Sequence, residues 1–471
     1  MSITTLAPTP LWQHFSDLNS VPRPSKKEQR VIRFIEEYAQ KLGLEHSTDA
    51  TGNVLVKKPA SPGREKQPPV ALQSHLDMVC QKNQGTDFDF DSQGIRMLLE
   101  GDWVRADGTT LGADNGIGVA AIMAILAAND LVHPPLEALF TIDEETGMTG
   151  ARGLAGGLLQ AHVMLNLDSE DDCELYIGCA GGLDVQAACS YAETEISEDH
   201  EFLSLRLTGL TGGHSGMDIH KGRANANKLM NRFLYAATLK FGLRNAIPRE
   251  STAVVAIARK RLEEFQAYVA EEASHYAKEH QTTDPECTLR CEPAAGRPKV
   301  MDREFQTKLL CTVYTVNNGI YRMSPDVPGL VQTSNNLARL LVQDGKFSLA
   351  CLTRGSVDSE KMDLATSLRC SLEMMGAEVT FAGGYPGWTP RPEAGIVKLM
   401  SGIYRELFSS EPKVTACHAG LECGILGGNY PDMEMISFGP NIHGAHSPDE
   451  KVQVSSVQKF WKLLTATLAR L

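Results

Sequence analysis

Five short segments carry the side chains best suited to chemistry: His75-Leu76-Asp77, Gly112-Ala113-Asp114-Asn115-Gly116, Asp143-Glu144-Glu145, Asn166-Leu167-Asp168-Ser169-Glu170 and Gly444-Ala445-His446-Ser447-Pro448. Two imidazoles and several carboxylates are the donor set that a pair of divalent cations needs, and cations so held activate water. The combination points to a metal-dependent hydrolase. Taken singly, each segment also has an ordinary reading. In an extended segment His75 and Asp77 share one face, so the carboxylate can fix the imidazole tautomer, yet His-x-Asp is common on surfaces. Asp114 is a bridging carboxylate or a helix N-cap. Of the adjacent glutamates, one can bind metal while its neighbour takes a proton; three acids in a row are also a plain solvated loop. Asp168 follows an apolar run, a costly place for an acid that is neither paired nor metal-bound. His446 alone reads as a hydrogen-bonded loop histidine.

The elements that must position these groups alternate between helix and strand from Pro22 to about Gly182. Residues 30–42 have helical spacing and stop at Gly43, Gly52–Lys58 and Pro69–Gln73 read as strands, and a second helix spans Gly116–Ala128. Strands follow at Leu136–Ile142 and Val163–Asp168. The spacing places His75 just past a strand end, and each other candidate at or beyond one, where open α/β sheets form their crevices. From about Leu183 the pattern becomes α+β, with strands at 202–207, 253–257 and 345–352 and helices at 224–238, 262–278 and 359–375. Gly383–Pro390 is dense in chain-breakers and reads as a return linker before a helix at 394–408. Because His446 lies beyond that linker, the second domain must be an insertion: residues 1–182 and 391–471 form one domain and 183–390 the other.

Composition narrows the function. A chain of 471 residues with 42% hydrophobic content can fill two cores. The formal net charge of -13, with no compensating basic run, argues against nucleic acid and anionic membranes as partners. No apolar run approaches the roughly 18 residues that span a bilayer, and the N-terminal stretch lacks a secretory leader pattern, so a cytoplasmic location is expected. Eleven cysteines, an odd number, read as free thiols rather than a disulfide framework. Cys287 and Cys291 have no second pair to make a zinc knuckle, and Cys80, Cys417 and Cys423 read as small packing residues.

In combination the segments resemble the aminoacyl-histidine dipeptidases of the M20 metallopeptidase clan, a likeness that covers nearly the whole chain. The blocks that carry it are Gln73-Ser-His-Leu-Asp-Met-Val, Thr109-Thr-Leu-Gly-Ala-Asp-Asn-Gly-Ile-Gly, Gly178-Cys-Ala-Gly-Gly, Gly212-Gly-His-Ser-Gly, Arg244-Asn-Ala-Ile-Pro-Arg, Tyr385-Pro-Gly-Trp, His418-Ala-Gly-Leu-Glu-Cys-Gly and His446-Ser-Pro-Asp-Glu. The resemblance implies an α/β fold: a di-zinc exopeptidase-like catalytic domain with a mixed sheet, interrupted by an α+β lid and dimerisation domain. It implies one zinc on His75 and Asp168, another on Glu145 and His446, Asp114 bridging through a cis Asp114–Asn115 peptide, Asp77 orienting His75, and Glu144 as general base. It further implies that His214 supports the oxyanion in a partner subunit of a homodimer, that Arg354 receives the substrate's C-terminal carboxylate, and that Glu422 lies near its amino group or else forms a surface salt bridge.

The expected substrates are unblocked dipeptides, notably Xaa-His and including β-alanyl-histidine. Mn²⁺ and Co²⁺ suit the same donors as zinc. Alternatives are an N-acyl-amino-acid deacylase or tripeptidase of the same clan, and a catalytically silent, metal-stabilised binding protein. Departures from the family pattern are Cys80 in place of a common proline, His443 beside His446, and a shorter lid.

Overall fold

A computed structural model describes residues 2–241, 244–249 and 252–471; the side chains of the Arg244–Arg249 block lie outside the described residues. The chain divides into two compact units: residues 1–179, 388–416 and 421–471 form the first, and residues 180–387 with 417–420 the second. Among the described residues no helix is long and apolar enough to cross a membrane.

The first unit is built on an eight-stranded mixed sheet, in the order Glu45–Thr48, Val54–Lys58, Leu136–Thr141, Val70–His75, Val163–Asn166, Glu434–Ser437, Glu174–Cys179 and Lys413–Cys417. The four strands from Leu136–Thr141 to Glu434–Ser437 run parallel. The two strands that lead to His75 and to the Asp143–Glu145 segment are buried along their whole length, the pattern of a parallel sheet covered on both faces. Parallel pairing sets His75 opposite Thr141 and Gln73 opposite Asn166. The chain therefore leaves three neighbouring strands at one edge, carrying His75, Asp143–Glu145 and Asp168 together.

Helix Ala113–Ala127 is apolar on nearly every side and buried almost throughout, as expected of a helix packed on all faces. Its neighbours include Trp12 and Phe15 of helix Thr9–Asn19, which belong to the same core. Gly118 must lack a side chain: a Cβ there would stand 2.7 Å from the Leu167 carbonyl oxygen. Helix Gln29–Leu42 ends at Gly43 in the left-handed conformation that glycine tolerates best. Helices Gly395–Phe408 and Val454–Arg470 complete the core.

Among the described residues the second unit holds two larger antiparallel sheets and a two-stranded pairing of Glu193–Thr194 with Val300–Met301. One has the order Gly319–Met323, Val331–Gln343, Lys346–Gly355, Gly181–Ser190 and Glu378–Tyr385, and its core is shared with helices Arg303–Thr315 and Asp358–Met374. The other has the order Arg244–Arg249, Thr252–Ala258, His200–Thr208 and Thr288–Pro293, packed with helices Ala226–Phe241 and Leu262–Glu279.

Two local expectations are corrected. His75 is the last residue of its strand rather than the one past its end, because its backbone still pairs with Thr141. Gly383–Tyr385 belongs to strand Glu378–Tyr385 rather than to a linker; a register shift between Ala382 and Tyr385 takes up the two glycines as an irregularity inside the strand.

Candidate metal centre

At the carboxyl edge of the parallel strands five side chains converge in two groups that share Asp114. Nε2 of His75 lies 3.3 Å from Asp114 Oδ1 and 3.5 Å from Asp168 Oδ1. Nε2 of His446 lies 3.2 Å from Asp114 Oδ2 and 3.0 Å from Glu145 Oε2. Asp114 thus turns one oxygen to each group. Four donors at bond lengths of 2.0–2.1 Å around a tetrahedral cation stand about 3.3 Å apart, so the spacing of both groups suits a cation within each.

The chemistry of the donors agrees. Nδ1 of His75 faces the Asp77 carbonyl at 3.2 Å and its carboxylate at 3.4 Å. Both are acceptors, so Nδ1 carries a proton and Nε2 is the nitrogen turned to the carboxylates. Burial works against a charged His75, but Asp168, Asp114 and Asp77 hold its pKa well above the usual imidazole range. Asp114 and Glu145 push His446 up to about 11. Burial pushes Asp168 up to about 6, whereas His446 and His75 overcome burial at Asp114 and keep it well below the carboxylate range. The cluster demands positive charge at two points. Glu145 Oε1 is buried with no hydrogen-bond partner, a costly state for a carboxylate oxygen without a cation. The residues present therefore fit two divalent ions.

Asp77 does more than orient an imidazole. It is fully buried and also accepts the Ser25 hydroxyl at 2.8 Å and the backbone N–H groups of Glu144 and Glu145 at 3.0 and 3.3 Å. It thereby ties the His75 strand to the turn that carries both glutamates. Glu144 is half-buried and its carboxylate stays out of both donor groups. Burial first, then the nearby acids Asp168, Glu422 and Glu145, raises its pKa well above the usual range, a property suited to proton transfer near neutrality. Asp143 lies apart from both donor groups: it accepts the hydroxyls of Thr146 and Thr149 and holds the turn from inside. The Asp114–Asn115 peptide is cis, and Asn115 Nδ2 donates to Asp168 Oδ1 at 2.6 Å.

Glu422 is not the surface salt bridge that was one of its two expectations. It is fully buried, accepts from Gln73 Nε2 and Thr141 Oγ1 at 2.6 Å each, and burial pushes it up to about 7. With no exposed face it is a support beneath the strands, not a surface ion pair. His443 stands outside the cluster, its ring against Trp103 at 4.8 Å. None of the eleven cysteines forms a disulfide, and burial pushes the Cys80 thiol up to about 11, away from the reactive thiolate. Sequence reasoning missed Arg23, Glu28 and Glu450, whose carboxylates and guanidinium hold backbone rather than each other.

Within the second unit, Arg354 is nearly buried; its Nη1 donates to Tyr385 Oη at 3.1 Å and its Nη2 to Ser215 Oγ at 3.3 Å. Nδ1 of His214 accepts from the backbone N–H of Gly216 and Met217 at 3.2 and 2.9 Å. The neutral ring therefore carries its proton on Nε2 and can donate. His214 borders a cavity of about 730 Å³ lined also by Arg223, Asn225, Asn336 and Arg339. His418, joined to Ser334 at 2.7 Å, is pushed down to about 4 by burial and by Arg354.

The sequence profile described as Peptidase family M20/M25/M40 matches residues 71–470, a span that holds all five clustered side chains. The chain belongs to this family. It is 40% identical over 477 residues to the cytosol non-specific dipeptidase of Escherichia coli (strain K12), covering 99% of this chain and 98% of the relative. The crystal structure of the aminoacylhistidine dipeptidase of Vibrio alginolyticus superposes with a TM-score of 0.94 at 40% identity, covering 100% and 98% of the two chains. The aminopeptidase PepT of Bacillus cereus ATCC 10987, at 16% identity, TM-score 0.62 and coverage of 98% of each chain, shares the fold. Its M20 membership and its donor geometry together make this protein a metallohydrolase.

Proposed function

We propose that this M20 protein is a cytoplasmic, zinc-dependent dipeptidase acting on unblocked dipeptides, Xaa-His and β-alanyl-histidine among them. The observation that carries the reading is the bridging Asp114, with one oxygen toward His75 and Asp168 and the other toward His446 and Glu145. The printed activities of the Escherichia coli and Vibrio relatives support the dipeptide class. His75, Asp168 and Asp114 would hold one cation, and His446, Glu145 and Asp114 the other. When bound, the ions lower the pKa of water toward neutrality and polarise the scissile carbonyl.

The side chains divide the remaining work. Glu144 takes the proton of the attacking water and hands it to the departing amine, a task its raised pKa favours. Asp77 keeps the His75 tautomer and the Glu144 backbone in register. Arg354 offers its guanidinium to the substrate's C-terminal carboxylate. The second unit acts as a lid through which two chains pair, so that His214 of one copy donates Nε2–H to the oxyanion formed in the other.

The test is a panel of free dipeptides, tripeptides and N-acetylated amino acids, assayed after chelation and after return of Zn²⁺, Mn²⁺ or Co²⁺. Free dipeptides, cleaved only with metal restored, are the expected substrates. Preferential cleavage of acetylated amino acids or tripeptides would overturn the assignment, and no hydrolysis with full metal content would leave only the silent binding protein.

A further inference from the structure

The turn that presents Asp114 is held by charges on both sides. Glu450, 2% exposed, receives four consecutive backbone N–H groups: Oε2 accepts from Leu111 and Gly112 at 2.7 and 2.9 Å, and Oε1 from Ala113 and Asp114 at 2.7 and 3.2 Å. The donors converge because Gly112 adopts φ +70°, a region open to glycine. Leu111 and Ala113 are fully buried, so no water can serve these amides in place of the carboxylate. From the other side Arg23 Nη2 donates to the Gly112 carbonyl at 2.6 Å and Nη1 to the carbonyls of Leu76 and Asp77 at 3.1 Å each, while Asn19 Nδ2 donates to the Leu111 carbonyl at 3.1 Å.

We propose that Glu450 is a positioning residue that presets the turn Leu111–Asp114, and with it both oxygens of the bridging carboxylate, before any cation arrives. This deepens the two-cation reading of the centre and rests on it. Glu450 lies four residues after His446, so one segment supplies both a ligand and the clasp for the bridging ligand. Arg23 binds the same turn to the loop that follows His75. A small rotation of the turn would displace Oδ1 from the His75 group and Oδ2 from the His446 group together, so loosening Glu450 must weaken both cations rather than one.

Glu450→Gln removes one acceptor and places an NH₂ donor against two N–H groups. We expect both cations to bind about 10–100-fold more weakly, the usual cost of losing a partner behind a ligand, with an altered visible spectrum of the Co²⁺-loaded protein. Glu434→Gln is the control. That residue likewise caps two backbone N–H groups, at Gly395 and Ile396, at 3.0 and 2.8 Å, but its segment bears no ligand, so cation affinity should stay at the parent value.

Metal titration of the parent chain first separates the two claims. Two bound cations uphold the centre, whereas none would remove the centre itself and this role with it. Given a two-cation parent, wild-type affinity and spectrum in folded Glu450→Gln would overturn the role of Glu450. Hydrogen exchange on the chelated parent chain needs no variant: slow exchange across residues 111–114 supports a preset turn, and fast exchange there in an otherwise protected unit would overturn it.

Discussion

Replacing Asp77 by asparagine tests how the centre is oriented, because the carboxylate's four contacts cannot all survive. Oδ1 faces His75 Nδ1 and the Glu144 N–H; Oδ2 faces the Ser25 hydroxyl and the Glu145 N–H. With the amide oxygen in the Oδ1 position, Ser25 can turn to accept, but the Glu145 N–H meets an NH₂ group. The reverse orientation strands the Glu144 N–H and forces His75 to accept at Nδ1, moving its proton to the Nε2 that should bind metal. The first orientation wins. It leaves one buried donor unpaired, about 1–3 kcal/mol of stability, and replaces the anion that makes His75 basic with a neutral oxygen, for which a loss of about 10–100-fold in metal affinity is expected. Denaturant unfolding of the chelated protein reads the first effect and competition with a chromophoric zinc chelator reads the second. An Asp77→Asn variant with parental zinc affinity and parental stability would refute the reasoning.

Further outcomes follow from the same geometry. Glu144→Gln should keep both cations by elemental analysis while turnover falls about 10²–10⁴-fold; loss of a cation would assign Glu144 a ligand role instead. Mixing inactive Glu144→Gln chains with inactive His214→Ala chains under subunit exchange should restore activity in heterodimers, each having one intact site; verified heterodimers without activity would exclude the shared site. Acidification should weaken the second unit through His418. Its folded pKa of about 4 lies below the unfolded 6.5, so the unfolded state binds the extra proton between these values and stability drops as pH falls through that window. The full span amounts to roughly 3 kcal/mol. Comparing unfolding of wild type and His418→Gln at pH 7 and pH 4.5 checks this, since the variant should lose less.

Chemistry that resides in a side chain was legible in the sequence; support given to a backbone was not. His75, Asp114, Glu145, Asp168 and His446 stood out because imidazoles and carboxylates at strand ends have few ordinary uses in such number. Arg23 and Glu450 perform their task on carbonyls and amides of a turn 89 and 338 residues away, and no local pattern marks an acid as an acceptor for remote N–H groups. The only trace was position: Glu450 ends the His446-Ser-Pro-Asp-Glu block. The burial of Glu422 was hidden for a similar reason, since its partners Gln73 and Thr141 come from strands distant in sequence. The double glycine at 383–384 read as a linker because chain-breakers and strand irregularities share a composition.

The order in which the ligands are synthesised has a consequence for the life of the nascent chain. His75, Asp114, Glu145 and Asp168 all emerge before the second unit, whereas His446 and Glu450 follow Asp168 by 278 and 282 residues. At ribosomal speeds of about 5–20 residues per second, roughly 15–55 seconds separate the two contributions. Throughout that interval the chain has four of the five proposed donors, lacks His446, and lacks the Glu450 carboxylate that accepts from the turn at 111–114. On the proposed ligand set the centre is complete only once residues 446–450 have been made, so a chain released before them lacks a donor.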